Sequence, residues 1–216
     1  MTIWKPAFDI LNQPHVLIAG ETGCGKSTLL HHILNAAMTR PETAGTFCLI
    51  DLKAGVELCD YEDDPRVTSF CDSTESALAA LDAEVEQMTR ILQTMRRAKL
   101  KKWDGVQRYI VIDELAFLLQ NAKKPALKAL TAISQQGRAA GYHLIVATQD
   151  PSREGLPAVV QKNLPCRIGL HCISAMDSRQ AVGVSGCELL PRWGSAIMRA
   201  DGTITRISIP PLDDCT

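Results

Sequence analysis

Short apolar runs recur along the chain, each bounded by polar or glycine-containing segments: His15–Ala19 (HVLIA), Thr46–Ile50 (TFCLI), Tyr109–Ile112 (YIVI) and His143–Ala147 (HLIVA). Runs that are apolar at nearly every position, rather than alternating, belong to strands covered on both faces, as in parallel sheets. Val67–Phe70 and Arg167–His171 read as further short strands. Ser195–Arg199 and Thr203–Ile209 read as a hairpin turning at Asp201-Gly202. Helical patterns lie between these runs. Lys26–Thr39 is a helix stopped by Pro41. Ser73–Lys102 is a long helix whose residues Ala77, Leu78, Leu81, Val85, Met88, Ile91, Leu92 and Met95 form one apolar stripe. Ser73 can cap it, but Ser76 rather than an acid stands three residues on, so no full capping box is expected. Leu115–Gln120 and Pro125–Ala140 read as two helices, the second closed by Gly141, with Leu156–Asn163 and Asp177–Val182 as short ones. Strands alternate with helices from end to end. The expected fold is α/β, a mostly parallel sheet with helices on both faces and a C-terminal β-hairpin, in a single domain over residues 1–216 with its core at about 14–209.

The first strand leads into the chemistry. Pro14–Thr28 reads PHVLIAGETGCGKST, in which Gly20, Gly25, Lys26 and Ser27 satisfy G-x-x-x-x-G-K-[ST] between an apolar strand and a helix. Such a phosphate loop aims successive backbone N–H groups into one concavity, and the helix N-terminus adds partial positive charge there. The nucleotide-binding set is Gly20, Glu21, Thr22, Gly23, Cys24, Gly25, Lys26, Ser27 and Thr28. Lys26 reaches the β- and γ-phosphates, Ser27 joins the Mg²⁺ shell, and Thr28 is placed for the α-phosphate. Cys24 fits as a small residue rather than a reactive one. The expected cofactors are ATP and Mg²⁺.

The strand YIVI ends in Asp113-Glu114, which a parallel sheet brings beside the phosphate loop. Asp113 is the candidate Mg²⁺ residue, through the metal's water shell. Glu114 is the candidate base that orients the attacking water. The strand HLIVA ends at Thr148 and Gln149, and Gln149 is the candidate sensor of the γ-phosphate; otherwise the two residues merely cap a strand. Arg138, in QQGRAAGYH, is either a surface or ion-paired arginine or one donated across an interface to a neighbouring copy's nucleotide.

Composition narrows the partners. The 216-residue chain is 46% hydrophobic and 22% charged, with a formal net charge of −1. A protein that wraps nucleic acid over a broad surface is more basic than this, so nucleic-acid contact would be local. The basic end of the long helix, Arg96, Arg97, Lys99, Lys101 and Lys102, suits either the helix dipole or an acidic partner. No apolar run reaches the ~18–20 residues of a membrane span and the N-terminus lacks a signal-peptide layout, so a cytoplasmic location is expected, with membrane attachment only through a partner or a missing segment. The eight cysteines have neither zinc nor disulfide spacing and are expected to be small core residues.

Taken together, PHVLIAGETGCGKS, IDLKAGVEL with Tyr61, YIVIDELAFLL, GRAAGYHLIVATQDPS, NLPCRIGL and SAMDSRQAV resemble, in this order, FtsK/SpoIIIE-type motor domains. The segment near Gly194–Ile197 resembles the GDM segment of that family. The resemblance implies a RecA-like P-loop NTPase that hydrolyses ATP, forms a hexameric ring and pumps double-stranded DNA in segregation or conjugation. It also makes Arg138 the arginine acting in trans. Relatives include type VII secretion ATPases, which move protein. The sequence departs from the DNA pumps where they touch DNA: ATQDP puts Asp150 where they tend to have arginine, and Met176 stands where they tend to have lysine before DSR. Arg179 remains of that basic set, and Arg153 is close enough to Asp150 to compensate; these two are the candidate DNA contacts. A carboxylate in a phosphate-lined pore weakens binding, which keeps open a protein-secretion or assembly ATPase acting on a polypeptide, and a nucleotide-gated switch that does not translocate.

Overall fold

The computed structural model describes residues 10, 12–39, 45–152 and 155–212. Its framework is an eight-stranded sheet of β1 (His15–Ala19), β2 (Gly45–Asp51), β3 (Val67–Cys71), β4 (Gln107–Asp113), β5 (Tyr142–Thr148), β6 (Cys166–Gly169), β7 (Ser195–Ala200) and β8 (Thr203–Ser208). The spatial order is β3-β2-β4-β5-β1-β6-β7-β8. From β3 to β6 all pairings are parallel; β7 and β8 add an antiparallel hairpin at one edge. The expected sheet and hairpin are both present.

Fully apolar strands have two covers here, and the period of two sorts their residues between them. Val16 and Ile18, Phe47 and Leu49, Tyr109 and Val111, and Ile145 and Ala147 join one core, with Leu29, Leu30, Ile33 and Leu34 of α1 (Lys26–Thr39). Leu17, Cys48 and Ile50, Ile110 and Ile112, and Leu144 and Val146 join the other. This second core is covered by α2 (Thr74–Ala98) and α3 (Leu115–Gln136). Burying each Leu or Ile side chain contributes about 1.5–3 kcal/mol, so a polar residue at any of these positions would be strongly destabilising.

Several helix boundaries differ from the sequence expectation. A full capping box does form at the start of α2: the Ser73 hydroxyl accepts from the Ser76 N–H, and the Ser76 hydroxyl accepts from the Ser73 N–H. A serine hydroxyl thus does the reciprocal work usually given to a carboxylate. The helix also stops at Ala98, because Lys99 turns left-handed (φ 57°, ψ 29°); Lys101 and Lys102 therefore leave the helix, and the Trp103 N–H donates to the Ala139 carbonyl at 2.8 Å. The expected Leu115–Gln120 and Pro125–Ala140 helices are one run with a break at Ala122 (φ −145°, ψ 46°), just ahead of Pro125. A 3₁₀ turn, Gly137–Ala140, follows. Of the helix expected at Leu156–Asn163, only α4 (Ala158–Gln161) is regular, and α5 (Ala175–Val182) starts two residues before its expected beginning.

One charged residue lies inside the α2 stripe. Glu84 is buried, and the Arg108 guanidinium on β4 donates to both of its carboxylate oxygens at 2.8 Å. The Tyr142 hydroxyl donates to the Glu84 carbonyl at 3.1 Å. Glu84 thus ties α2 to β4 through a bidentate ion pair, which keeps the carboxylate satisfied away from water, and to β5 through its carbonyl. Of the cysteines, Cys24, Cys48, Cys71, Cys166, Cys172 and Cys187 are buried, Cys59 is exposed, and Cys215 lies outside the described residues. Among the described residues no helix is long and apolar enough to cross a membrane, and no group of three metal-ligating side chains occurs.

Candidate active site

β1 ends at Ala19 and the chain turns through Gly20–Gly25 into α1. Gly20 is required by close approach: a Cβ there would lie 2.7 Å from the Cys24 Sγ and 3.0 Å from the Leu170 Cβ. Gly23 and Gly25 are required by conformation, with φ of 73° and 95°. Lys26 curls back over this loop, its Nζ donating to the Gly20 and Glu21 carbonyls at 2.9 and 2.8 Å. Burial pushes its pKa below that of a free lysine, opposed by nearby Cys24 and Glu114. Ser27 and Thr28 follow, half-buried, in the first turn of α1.

The parallel register brings the other parts level with this loop. Ala19 pairs with Thr148, and Ile112 with Val146, so the ends of β1, β5 and β4 share one edge of the sheet. Asp113 is fully buried there; its Oδ2 accepts from the Lys53 Nζ at 2.9 Å, and its Oδ1 has no hydrogen-bond partner. Burial raises the Asp113 pKa and the Lys53 ion pair holds it back. Burial also works against the Lys53 charge, but the hydrogen bond and the charge of Asp113 prevail and leave its pKa raised. Lys53 is itself presented by Asp51, whose carboxylate accepts from the N–H groups of Lys53, Glu57 and Leu58.

Glu114 has left-handed backbone (φ 71°, ψ 68°), an uncommon state for a non-glycine residue, which redirects the chain from β4 into α3. Its Oε1 accepts from the Gln149 N–H at 3.2 Å and the Thr148 hydroxyl at 3.4 Å; its Oε2 is buried without a partner. The Gln149 side chain accepts from the Thr22 hydroxyl of the phosphate loop. Lys26, Asp113, Glu114, Gln149 and the loop thus meet at one place, as the sequence predicts. Two buried carboxylate oxygens left unpaired beside a cationic loop suit a divalent cation and a polarised water. A hard cation held partly by phosphates needs no all-protein cage.

Other residues of this site have no obvious signal in the sequence. Lys53 on Asp113 is one: it lies in the IDLKAGVEL segment, but nothing in that segment points to Asp113. A second group surrounds Glu21, whose Oε1 lies 3.6 Å from the His171 Nε2 and 3.7 Å from the Arg192 Nε. Arg192 also donates to the Thr22 carbonyl at 3.2 Å, and the Trp193 Nε1 donates to the Gly23 carbonyl at 2.6 Å. The loop before β7 therefore rests on the phosphate loop. Its only sequence signal is the GDM-like segment beginning at Gly194.

Arg138 is elsewhere. It sits in the 3₁₀ turn before β5, at the opposite edge of the sheet from Lys26. The five paired residues of β1 and β5 separate these edges by roughly 16 Å. The Arg138 guanidinium has no hydrogen bond or ion pair among the described residues, and it lines a cavity of about 570 Å³ with Lys101 and Lys102. Arg179 is exposed on α5. In the same DSR triplet Asp177 caps α5 through Ser174, and the Ser178 hydroxyl donates to the Val184 carbonyl at 2.7 Å, so both are held by the fold. Asp150 Oδ1 accepts from the Ser152 N–H at 2.9 Å, so this carboxylate caps its own loop. Met176 is 67% exposed. Arg153 lies outside the described residues.

This site belongs to the P-loop ATPase fold, with a RecA-like sheet and a second motif of paired acids. The FtsK/SpoIIIE family matches residues 5–111. The chain is 33% identical over 225 residues to the DNA translocase FtsK of Staphylococcus epidermidis, covering 93% of this chain and 28% of that protein. It superposes on the cytoplasmic domain of the Thermomonospora curvata type VII secretion ATPase EccC with TM-score 0.78 and 28% identity, over 94% of this chain and 26% of that one. It superposes on the pCW3 conjugation coupling protein TcpA, determined in monomer form with ATPγS, with TM-score 0.81 and 22% identity, over 95% and 62%. The chain belongs to the FtsK/SpoIIIE family, and it spans about a quarter of the length of the FtsK relatives it matches.

Proposed function

We propose that this chain is an ATP-hydrolysing motor domain that translocates double-stranded DNA, working as a homo-oligomeric ring. The observation that carries the hydrolytic part is the pair of unpartnered buried oxygens, Asp113 Oδ1 and Glu114 Oε2, at the edge that carries the phosphate loop. Lys26 exchanges its two loop carbonyls for β- and γ-phosphate oxygens. Ser27 and Asp113 would hold Mg²⁺, Asp113 through water; bound there, the ion neutralises charge on the phosphates. Glu114 accepts the proton of the attacking water at its free Oε2, while Oε1 stays anchored to the Gln149 and Thr148 donors. That anchor links Glu114 to Gln149, and Gln149 to Thr22, so loss of the γ-phosphate is felt by a side chain in contact with both. Arg138 completes the site of the next copy. At the far edge of its own sheet it cannot reach its own phosphates, and an arginine donated across an interface stabilises charge developing in the transition state.

The DNA substrate is supported by the FtsK relatives and by Arg179, exposed at the end of α5. Asp150, folded onto its own loop, is a weaker obstacle to phosphates than the sequence suggests. A polypeptide substrate is the second reading, favoured by Ile173 and Met176, 79% and 67% exposed, beside Arg179. The test is the ATPase rate with and without double-stranded DNA at low and moderate salt, with Lys26→Ala as the blank. DNA stimulation that fades as salt rises supports the motor on DNA. Turnover indifferent to DNA at low salt overturns it and turns attention to polypeptides.

A further inference from the structure

An internal cation stands over the buried acid of the site. Lys53 lies two residues beyond β2, whose last residue, Asp51, pairs in register with Asp113 at the end of β4. The turn that carries it is built around Asp51. The buried Asp51 carboxylate accepts from the Lys53 N–H at 3.1 Å through Oδ1, and from the Glu57 and Leu58 N–H groups at 2.8 and 2.9 Å through Oδ2. The Gly55 N–H donates to the Asp51 carbonyl at 3.2 Å, with Ala54 and Gly55 in left-handed backbone (φ 62° and 74°). The backbone of Lys53 is therefore fixed, and its flexible side chain is the part that can move. That side chain is 31% exposed, whereas the Asp113 side chain it covers is wholly buried. The ammonium occupies Asp113 Oδ2 at 2.9 Å and leaves Oδ1 without a partner. Lys26 is held in the same manner, parked on two carbonyls of its own loop.

We infer that Lys53 competes with the divalent cation for Asp113: in the empty site its ammonium stands in for the metal, and it lets go when a metal-bound triphosphate offers it a new anionic partner. The inference rests on the reading of this edge as a Mg²⁺-nucleotide site and adds the rule by which metal is admitted. A buried carboxylate stripped of its cation is left uncompensated, which is costly. Lys53 removes that cost without closing the site for good, because a lysine is a compact charge on a flexible stem. Against a bare metal ion it is an obstacle, since a second cation beside the ammonium meets like charge at short range. One carboxylate is also a poor ligand set for Mg²⁺ until phosphates add to it. With the triphosphate present both objections lapse, because phosphate oxygens serve as ligands and also receive the displaced ammonium. When the products leave, Lys53 returns to Oδ2 and the site is again closed to bare metal.

The experiment is equilibrium binding of Mn²⁺, the free ion being read by electron paramagnetic resonance, with and without ATPγS. It compares the unaltered chain with Lys53→Met, Lys53→Arg, Asp113→Asn and the double variant Lys53→Met/Asp113→Asn. Without nucleotide, Lys53→Met should bind Mn²⁺ about ten-fold more tightly than the unaltered chain, and the double variant should lose that gain. With ATPγS, Lys53→Arg should bind Mn²⁺ several-fold more weakly than the unaltered chain, because a bidentate guanidinium releases a carboxylate less readily than an ammonium does. Lys53→Arg keeps the buried charge paired, so it tests the inference even if Lys53→Met fails to fold. A Lys53→Met that binds bare Mn²⁺ no more tightly than the unaltered chain would overturn the inference. So would a gain that survives in the double variant, or a Lys53→Arg that matches the unaltered chain with ATPγS. Asp113→Asn separates the two readings. If it binds Mn²⁺ with ATPγS as tightly as the unaltered chain, the assignment of Asp113 to the metal is what has failed; a loss there beside an unaffected Lys53→Met would make Lys53 a static partner of Asp113.

Discussion

The two edges of the sheet are built on opposite terms. At the carboxyl edge almost every charge has a local partner: Asp113 has Lys53, Glu114 has the Gln149 N–H, Glu21 has Arg192 and His171, and Lys26 has two carbonyls. At the amino edge Arg138, Lys101 and Lys102 stand around a cavity with no acid lining it among the described residues. The first edge is a site held ready, with one oxygen left free on each acid. In the proposed ring the second faces the acids and phosphates of a neighbouring copy. A phosphate loop with free acceptors at one edge and, among the described residues, unpaired cations at the other suits the proposed head-to-tail assembly, and repeated head-to-tail contact closes into a ring when the rotation allows.

The comparison can be pressed at each edge. Glu114→Gln keeps an acceptor for the Gln149 N–H and removes only the basicity. Turnover should fall about 10³-fold while ATP affinity stays within a few-fold; steady-state kinetics beside equilibrium binding measures both, and retained turnover would make the free Oε2 irrelevant. The amino edge answers to pH instead. His15 at the start of β1 is buried, its Nδ1 accepting from the Leu144 N–H at 3.1 Å and its Nε2 without a partner. Burial first, then the charges of His143 and Arg138, lower its pKa to about 4. The unfolded chain, with His15 near 6.5, binds the extra proton between these values, so stability is full above about pH 6.5 and is lost as pH falls toward 4. The loss approaches about 3 kcal/mol from this one group. His15→Gln should flatten that part of the stability profile in urea unfolding at pH 7 and pH 4.5; parallel profiles for the two proteins would show that His15 is not the group responsible.

What was legible in the sequence follows from how far apart the interacting residues lie. The phosphate loop is contiguous, and its glycines, lysine and serine carry their own reasons, so the loop was readable from Gly20–Thr28 alone. Asp113 and Glu114 were readable because an apolar strand ending in acids has one destination in a parallel sheet. The Lys53–Asp113 pair, the Arg192 and Trp193 contacts with the loop and the Glu84–Arg108 pair are made between segments remote in the chain, and no local pattern announces them. Glu84 was hidden for a further reason, since a carboxylate within an apolar stripe reads as a lapse until Arg108 is seen beneath it. The Ser73–Ser76 capping box is not legible because a serine stands at the third position, which an acid or amide usually fills. The early end of α2 turns on Lys99 adopting a left-handed conformation, which a lysine codon does not advertise.

The central claim, that each catalytic site is completed by the amino edge of a second copy, is tested most directly by mixing two inactive proteins. Lys26→Ala lacks its own nucleotide grip but keeps Arg138; Arg138→Ala keeps the grip and lacks the donated cation. Each alone should hydrolyse ATP at no more than about a thousandth of the normal rate, and an equal mixture should regain roughly a quarter of the normal rate, from interfaces that pair an intact loop with an intact arginine. Full activity of Arg138→Ala alone, or a mixture no more active than its components, would contradict the account.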